Sequence, residues 1–167
     1  MNILIYAVIV IAGYLLGSIN VAIMYIRRRY RVDVRTEGSG NAGATNVART
    51  HGLGAGLLTL GSDMLKTALA GFLGWKLAGD TGLAVACAAA LTGHCFPIYY
   101  GFRGGKGVSA SACIALLLDW RFCFVQLFGD PMDCSPLGSS VHGAMCLLVI
   151  IYFLWRKIYS YVCPFKN

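Results

Sequence analysis

The sequence predicts an all-α, membrane-embedded helix bundle, and three observations carry that prediction. Only 13% of the 167 residues are charged and 57% are hydrophobic, against about 25% charged in ordinary soluble domains. The apolar residues gather into runs long enough to cross a bilayer. The basic residues fall between those runs rather than along one exposed face. Composition this apolar leaves too little polar surface to face water, and it excludes a disordered chain.

A crossing helix needs about 20 predominantly apolar residues. Ile3 to Ile26 supplies the first run, interrupted only by Gly17, Ser18 and Asn20. Arg27, Arg28 and Arg29 follow it and no basic residue precedes it, the reverse of the charge order in a cleaved secretory signal. Leu53 to Ala78 gives a second run, broken by Asp63 and Lys66. Leu83 to Tyr100 gives a third, Val108 to about Phe128 a fourth, and Val141 to Trp155 a short fifth. About five spans are therefore expected. Residues 1–128 form the main membrane domain, and 129–167 form a divergent segment with one span.

The net charge of +7 raises the question of nucleic acid, and position answers against it. Six of the 14 Lys and Arg lie between Arg27 and Arg49, two are Arg103 and Lys106, and three follow Trp155. That distribution fits positive-inside topology better than a nucleic-acid groove. It places the loop after the first span and the Gly101–Gly107 loop on the cytoplasmic side of the cell membrane, with the N-terminus outside. The seven cysteines contain no Cys-x-x-Cys pair, so neither a disulfide framework nor a metal site is expected, and no cofactor is implied.

Both cytoplasmic loops are rich in glycine. In the first, Gly38, Gly40 and Gly43 match a dinucleotide fingerprint formally, but that pattern has meaning only between a strand and a helix. What remains is an anion cradle: glycine backbone amides, the polar side chains Ser39, Asn41, Thr45 and Asn46, and Arg49, whose guanidinium can hold two oxygens of one phosphate. The second, with Gly104, Gly105, Lys106 and Gly107, is one residue short of a P-loop and lacks its magnesium-binding hydroxyl. It reads instead as a flexible nest with a lysine. Asp63 and Lys66, three apart on one helix face, form a structural polar pair inside a span. His94 lies just before the second glycine loop, near enough for a role at the site. His51 and His142 carry only loop or surface readings.

These residues resemble the bacterial membrane acyl-phosphate:glycerol-3-phosphate acyltransferases, the PlsY family. The resemblance rests on Gly38-Ser39-Gly40-Asn41-Ala42-Gly43-Ala44-Thr45-Asn46 with Arg49, and on Gly93-His94-x-Phe96-Pro97 followed by Gly101-Phe102-Arg103-Gly104-Gly105-Lys106-Gly107-Val108. It covers roughly Tyr14 to Leu118. It implies a seven-span bundle in the lipid bilayer that moves a fatty acyl group from acyl phosphate to the 1-hydroxyl of glycerol 3-phosphate, giving lysophosphatidic acid. Ser39, Arg49, Lys106 and His94 become the expected catalytic residues. Gly38, Gly40, Asn41, Gly43, Thr45, Asn46, Gly104, Gly105 and Gly107 become the expected phosphate-binding ones. No His is followed at the fifth position by Asp, since His51, His94 and His142 lead to Gly56, Tyr99 and Leu147. The His-x-x-x-x-Asp mechanism of other glycerolipid acyltransferases is thus absent.

The chain departs from the family pattern at Asn20, where Pro or Thr is expected, and at Ala110, where Thr is. After about Leu118 the family motifs are no longer readable, and Asp130 to Gly143 reads like a translated interspersed repeat. A truncated or chimeric member is the expectation, and the missing C-terminal motifs count against catalytic competence. Two rival readings use the same features: a small anion transporter or channel subunit, and an inactive fragment of the acyltransferase family.

Overall fold

The computed structural model describes residues 3–118, whose regular secondary structure is all helical, with no strand among them. The expected spans beyond Leu118, with His142 and the 129–167 segment, lie outside the described residues. Helix α1 covers Ile3–Ser18, α2 Val21–Tyr30, α3 Ala44–His51, α4 Leu53–Cys95 and α5 Val108–Leu118. Two stretches, residues 3–30 and 53–100, are long and apolar enough to cross a membrane.

The first span is not one unbroken helix, as the apolar run had suggested. It stops at Ser18 and restarts at Val21, because Asn20 takes an extended conformation and its side chain accepts from the Ile23 N–H. This is an ordinary N-cap, whose worth is about 1 kcal/mol. The residue that departs from the family pattern is thus the residue that starts α2. Helix α2 then ends on Arg31 in the left-handed region, with three arginines in its last turn against the negative end of the helix dipole.

The second and third expected spans are the two arms of α4. The helix leaves helical geometry at Ala78 and Gly79, where Gly79 has φ 59°, a conformation that favours glycine. The arms then fold against each other. A side chain on Gly74 would meet the Ala86 Cβ at 2.5 Å, and one on Gly71 would meet the Cys87 Sγ at 2.9 Å.

Helix α1 packs on the second arm through small residues from both sides. A Cβ on Gly13 would lie 2.9 Å from the Ala86 carbonyl oxygen, one on Gly17 would run into the Ala90 carbonyl, and one on Gly93 would run into the Tyr14 carbonyl. Close backbone approach through small residues is how apolar helices associate without a hydrophobic driving force between them. Replacing Gly17 by Val is therefore expected to lower the thermal unfolding midpoint of the detergent-purified protein, with a loss of about 1–3 kcal/mol. Gly61→Ala, where nothing lies within 4 Å of the added atom, should leave the midpoint unchanged or raise it. Equal behaviour of the two variants would refute this packing.

A satellite core of Ala22, Ile23, Ile26, Val34, Ala42, Val47 and Ala55 holds α2, the first glycine loop and α3 against the start of α4. This cluster positions the loop that follows.

Candidate phosphate-binding site

The first glycine loop is shorter than the sequence suggested, since residues from Ala44 onward belong to α3. Gly43 is extended and precedes the helix, so the loop proper ends there. On α3, Thr45 and Arg49 are exposed while Asn46 and Val47 are buried. The four-residue spacing puts Thr45 and Arg49 on one outward face. Ser39 is exposed as well.

Asn46 has a different place from the one expected of a phosphate ligand. It is 2% exposed and its amide is used up inside the loop. Its Oδ1 accepts from the Ser39 N–H at 2.8 Å, and its Nδ2 donates to the carbonyls of Val34 and Glu37 at 3.3 and 3.1 Å. Gly38 has φ 56°, and any side chain there would strike the Asn46 Oδ1. The Gly40 N–H donates to the Glu37 carbonyl. The amides of Ser39 and Gly40 thus shape the loop from within. The first N–H groups of α3 have no acceptor inside the helix.

In the second loop the same inward turn recurs. The Gly104 N–H donates to the Cys95 carbonyl at 3.1 Å and the Gly105 N–H to the His94 carbonyl at 3.2 Å. Both glycines are packed too closely for a side chain, Gly104 against the His94 carbonyl and Gly105 against the His94 ring. Their amides fold the loop back on the end of α4, and Lys106 stands exposed beside them.

One residue that sequence reasoning passed over joins the two loops. The Arg35 guanidinium grips Asp33 with two bonds, Nε to Oδ1 at 3.0 Å and Nη2 to Oδ2 at 2.7 Å. Its remaining nitrogen, Nη1, donates to the carbonyls of Tyr100 at 2.8 Å and Arg103 at 3.3 Å. The planar fork of arginine allows this three-way reach where lysine would offer a point charge. No local signal marks Arg35 among its basic neighbours, because its partners lie 65 and 68 residues away.

The hydrogen bond and charge of Arg35 hold the Asp33 carboxyl down from 3.8 to about 2. A carboxylate depressed in the folded state contributes stability that is complete above its unfolded value and is lost as pH falls through the folded one. The loop pair is therefore expected to stay closed down to about pH 4 and to open progressively between 3.8 and about 2. Pepsin cleavage within residues 31–43 should rise across that window, and Arg35→Gln should already be open at its upper end. Identical profiles for the two proteins would contradict the staple.

Inside the bundle, Asp63, Lys66 and His94 meet. All three are buried, at 1%, 7% and 2% exposure. Lys66 Nζ lies 2.9 Å from Asp63 Oδ1, donates to the Ile19 carbonyl at 2.7 Å and stands 3.1 Å from His94 Nδ1. The Asp63 carboxylate accepts from the ammonium, as does the Ile19 carbonyl exposed by the break between α1 and α2, and His94 Nδ1 stands beside them. The pair expected from its spacing is present, and it includes His94, brought in by the reversal of α4. His94 is thus in contact with this buried cluster and with Gly105.

His51 also has more around it than a surface reading implied. Its ring stacks on Tyr30 at 4.5 Å between centroids, and its Nε2 lies 2.9 Å from the Glu37 carboxylate. The contact ties the end of α3 to the end of α2 and to the first loop.

The sequence matches the model of the glycerol-3-phosphate acyltransferase family over residues 7–163. The match continues beyond Leu118, where the motifs had ceased to be readable, so the relationship extends further along the chain than the motif reading expected. A glycerol-3-phosphate acyltransferase of Syntrophomonas wolfei is 44% identical over 161 residues, covering 93% of this chain and 82% of the relative. One from Shewanella halifaxensis is 43% identical, covering 89% of this chain and 76% of the relative. Among solved structures, PlsY (YgiH), an integral membrane glycerol 3-phosphate acyltransferase in its glycerol 3-phosphate form, superposes with a TM-score of 0.65 at 27% identity, covering 97% of this chain and 94% of that one. Its lysophosphatidic acid form gives 0.62 at 25% identity. The transporter and channel readings find no counterpart in these relationships. With 157 of its residues inside the family match and relatives above 40% identity over most of its length, the chain belongs to the glycerol-3-phosphate acyltransferase family.

Proposed function

We propose that this chain transfers a fatty acyl group from acyl phosphate to the 1-hydroxyl of glycerol 3-phosphate, at the membrane surface where its two glycine loops meet. The observation that carries the reading, beside family membership, is the Arg35 staple, which ties the loop leading into α3, the helix that bears Arg49, to the loop that bears Lys106. Both substrates carry phosphate, and both loops offer exposed cations.

Arg49 and Lys106 clamp the glycerol 3-phosphate phosphate, with Thr45 on the Arg49 face of α3 and Ser39 hydrogen-bonding nearby. Amides of the α3 first turn serve the acyl phosphate oxyanions, since helix N-termini favour anions. The glycerol hydroxyl oxygen attacks the acyl carbon, the bond from that carbon to the phosphate oxygen breaks, and inorganic phosphate leaves with its electron pair. The hydroxyl proton passes to a substrate phosphate, whose second pKa is about 6. Catalysis of this kind rests on positioning and on stabilising developing charge, with no covalent intermediate on the protein. Positive-inside reasoning places both loops in the cytoplasm and the N-terminus outside.

The test supplies glycerol 3-phosphate with either acyl phosphate or an acyl thioester to protein in lipid cubic phase and weighs the products by mass spectrometry. Lysophosphatidic acid from acyl phosphate alone is the expected result. Equal product from the thioester would overturn the donor assignment, and none from either would overturn the reaction.

A further inference from the structure

We infer that the buried Asp63–Lys66–His94 cluster is the positioning device for the second glycine loop, and that His94 acts on the reaction through Gly104, Gly105 and Lys106 rather than on the reacting atoms. The inference rests on the acyl-transfer reading for its kinetic consequence and on the structure alone for its mechanical one.

The chain of contacts is continuous. Lys66 is held by the Asp63 carboxylate and the Ile19 carbonyl and lies 3.1 Å from His94 Nδ1. His94 Nδ1 faces both members of the charge pair, the Lys66 ammonium at 3.1 Å and Asp63 Oδ1 at 3.3 Å. The ring orientation is thereby set by a charge pair on the neighbouring arm of α4. On its other side the ring is covered by Gly105: a Cβ there would collide with Nε2 and lie 2.9 Å from Cε1. The backbone of the same histidine receives the Gly105 N–H, and Cys95 beside it receives the Gly104 N–H. The ring and carbonyl of His94 therefore hold Gly105, and the Cys95 carbonyl holds Gly104, the two glycines that immediately precede Lys106. The same cluster also holds the carbonyl at the α1–α2 break, so the end of the first span and the second loop are registered to one charge pair.

A ring 2% exposed, with its Nδ1 edge toward the Lys66–Asp63 pair and its Nε2 edge against Gly105, presents almost no surface to substrate. Its influence is on where the loop stands. Loss of that support should appear chiefly in the binding of glycerol 3-phosphate, because Lys106 no longer meets the phosphate in a fixed place.

The experiment compares wild type, His94→Ala and His94→Asn as full chains in detergent, by hydrogen exchange resolved by peptide and by steady-state kinetics with acyl phosphate and glycerol 3-phosphate. Asparagine can offer an acceptor near the Nδ1 position. In His94→Ala the amides of residues 101–107 should exchange roughly tenfold or more faster while α1 and the first arm of α4 keep their protection. KM for glycerol 3-phosphate should rise roughly tenfold, with kcat changed by less than about threefold. His94→Asn should recover most of both effects. Wild-type protection of the loop in His94→Ala would overturn the inference, as would a loss confined to kcat, or protection lost throughout the bundle in both variants. A wild-type protein that makes no lysophosphatidic acid would overturn the acyl-transfer reading alone, and the exchange data would still decide the role of the cluster.

Discussion

Replacing Asp63 by Ala is expected to cost the fold about 3–5 kcal/mol, the usual result of removing one partner from a buried ion pair. The substitution strands the Lys66 ammonium, 7% exposed, with only the Ile19 carbonyl and His94 to hold it. In a span, uncompensated charge is costlier still. Removing both charges together in Asp63→Leu/Lys66→Met should be far milder, because no ion is left stranded and the apolar side chains suit the surroundings. Thermal or detergent unfolding of the purified chain reads both. A double variant as unstable as Asp63→Ala would show that the cluster contributes more than charge balance. A single variant as stable as wild type would show that Lys66 finds another partner.

The second large effect concerns catalysis. Arg49→Ala is expected to lower kcat/KM by about 100-fold or more, the scale on which fixed charges that stabilise phosphate in the transition state operate. Arg49→Lys should recover only part of this, since a point charge cannot hold two oxygens in a fixed plane. The same assay on Thr45→Ala, on the same face of α3, should show a smaller loss of about tenfold or less, that of one neutral hydrogen bond.

Much of this was legible in the chain. The apolar runs marked the helices, and the start of the fourth span at Val108 is the first residue of α5. The spacing of Asp63 and Lys66 announced a pair on one face, and the pair forms at 2.9 Å. The polar signature around Ser39 and Arg49 led to the family.

What escaped was of two kinds. Capping is local but quiet: Asn20 interrupts an otherwise continuous apolar run, and only its extended backbone and its bond to the Ile23 N–H reveal a helix start. The short helix α3 escaped similarly, because the polar string Ala44 to Arg49 carries no apolar period longer than one turn. Long-range partnership leaves no local trace at all. Arg35 looks like its basic neighbours until its contacts with Tyr100 and Arg103 are known, and His94 meets Lys66 only because α4 reverses at Ala78 and Gly79. Asn46 was read as a phosphate donor because asparagine in a glycine loop has that chemistry. Its burial turns both ends of the amide onto the loop itself.

The central claim is that the two glycine loops form one composite site, and a double-mutant cycle on Arg49 and Lys106 tests it most directly. kcat/KM would be measured for wild type, Arg49→Ala, Lys106→Ala and the double variant, with acyl phosphate and glycerol 3-phosphate as substrates. If both cations hold one phosphate, each single substitution is severe and the double variant is little worse than either, giving a coupling of about 1–3 kcal/mol. Losses that simply add, or a Lys106→Ala variant with wild-type activity, would mean that the loops serve separate ends and that the site is not the one described.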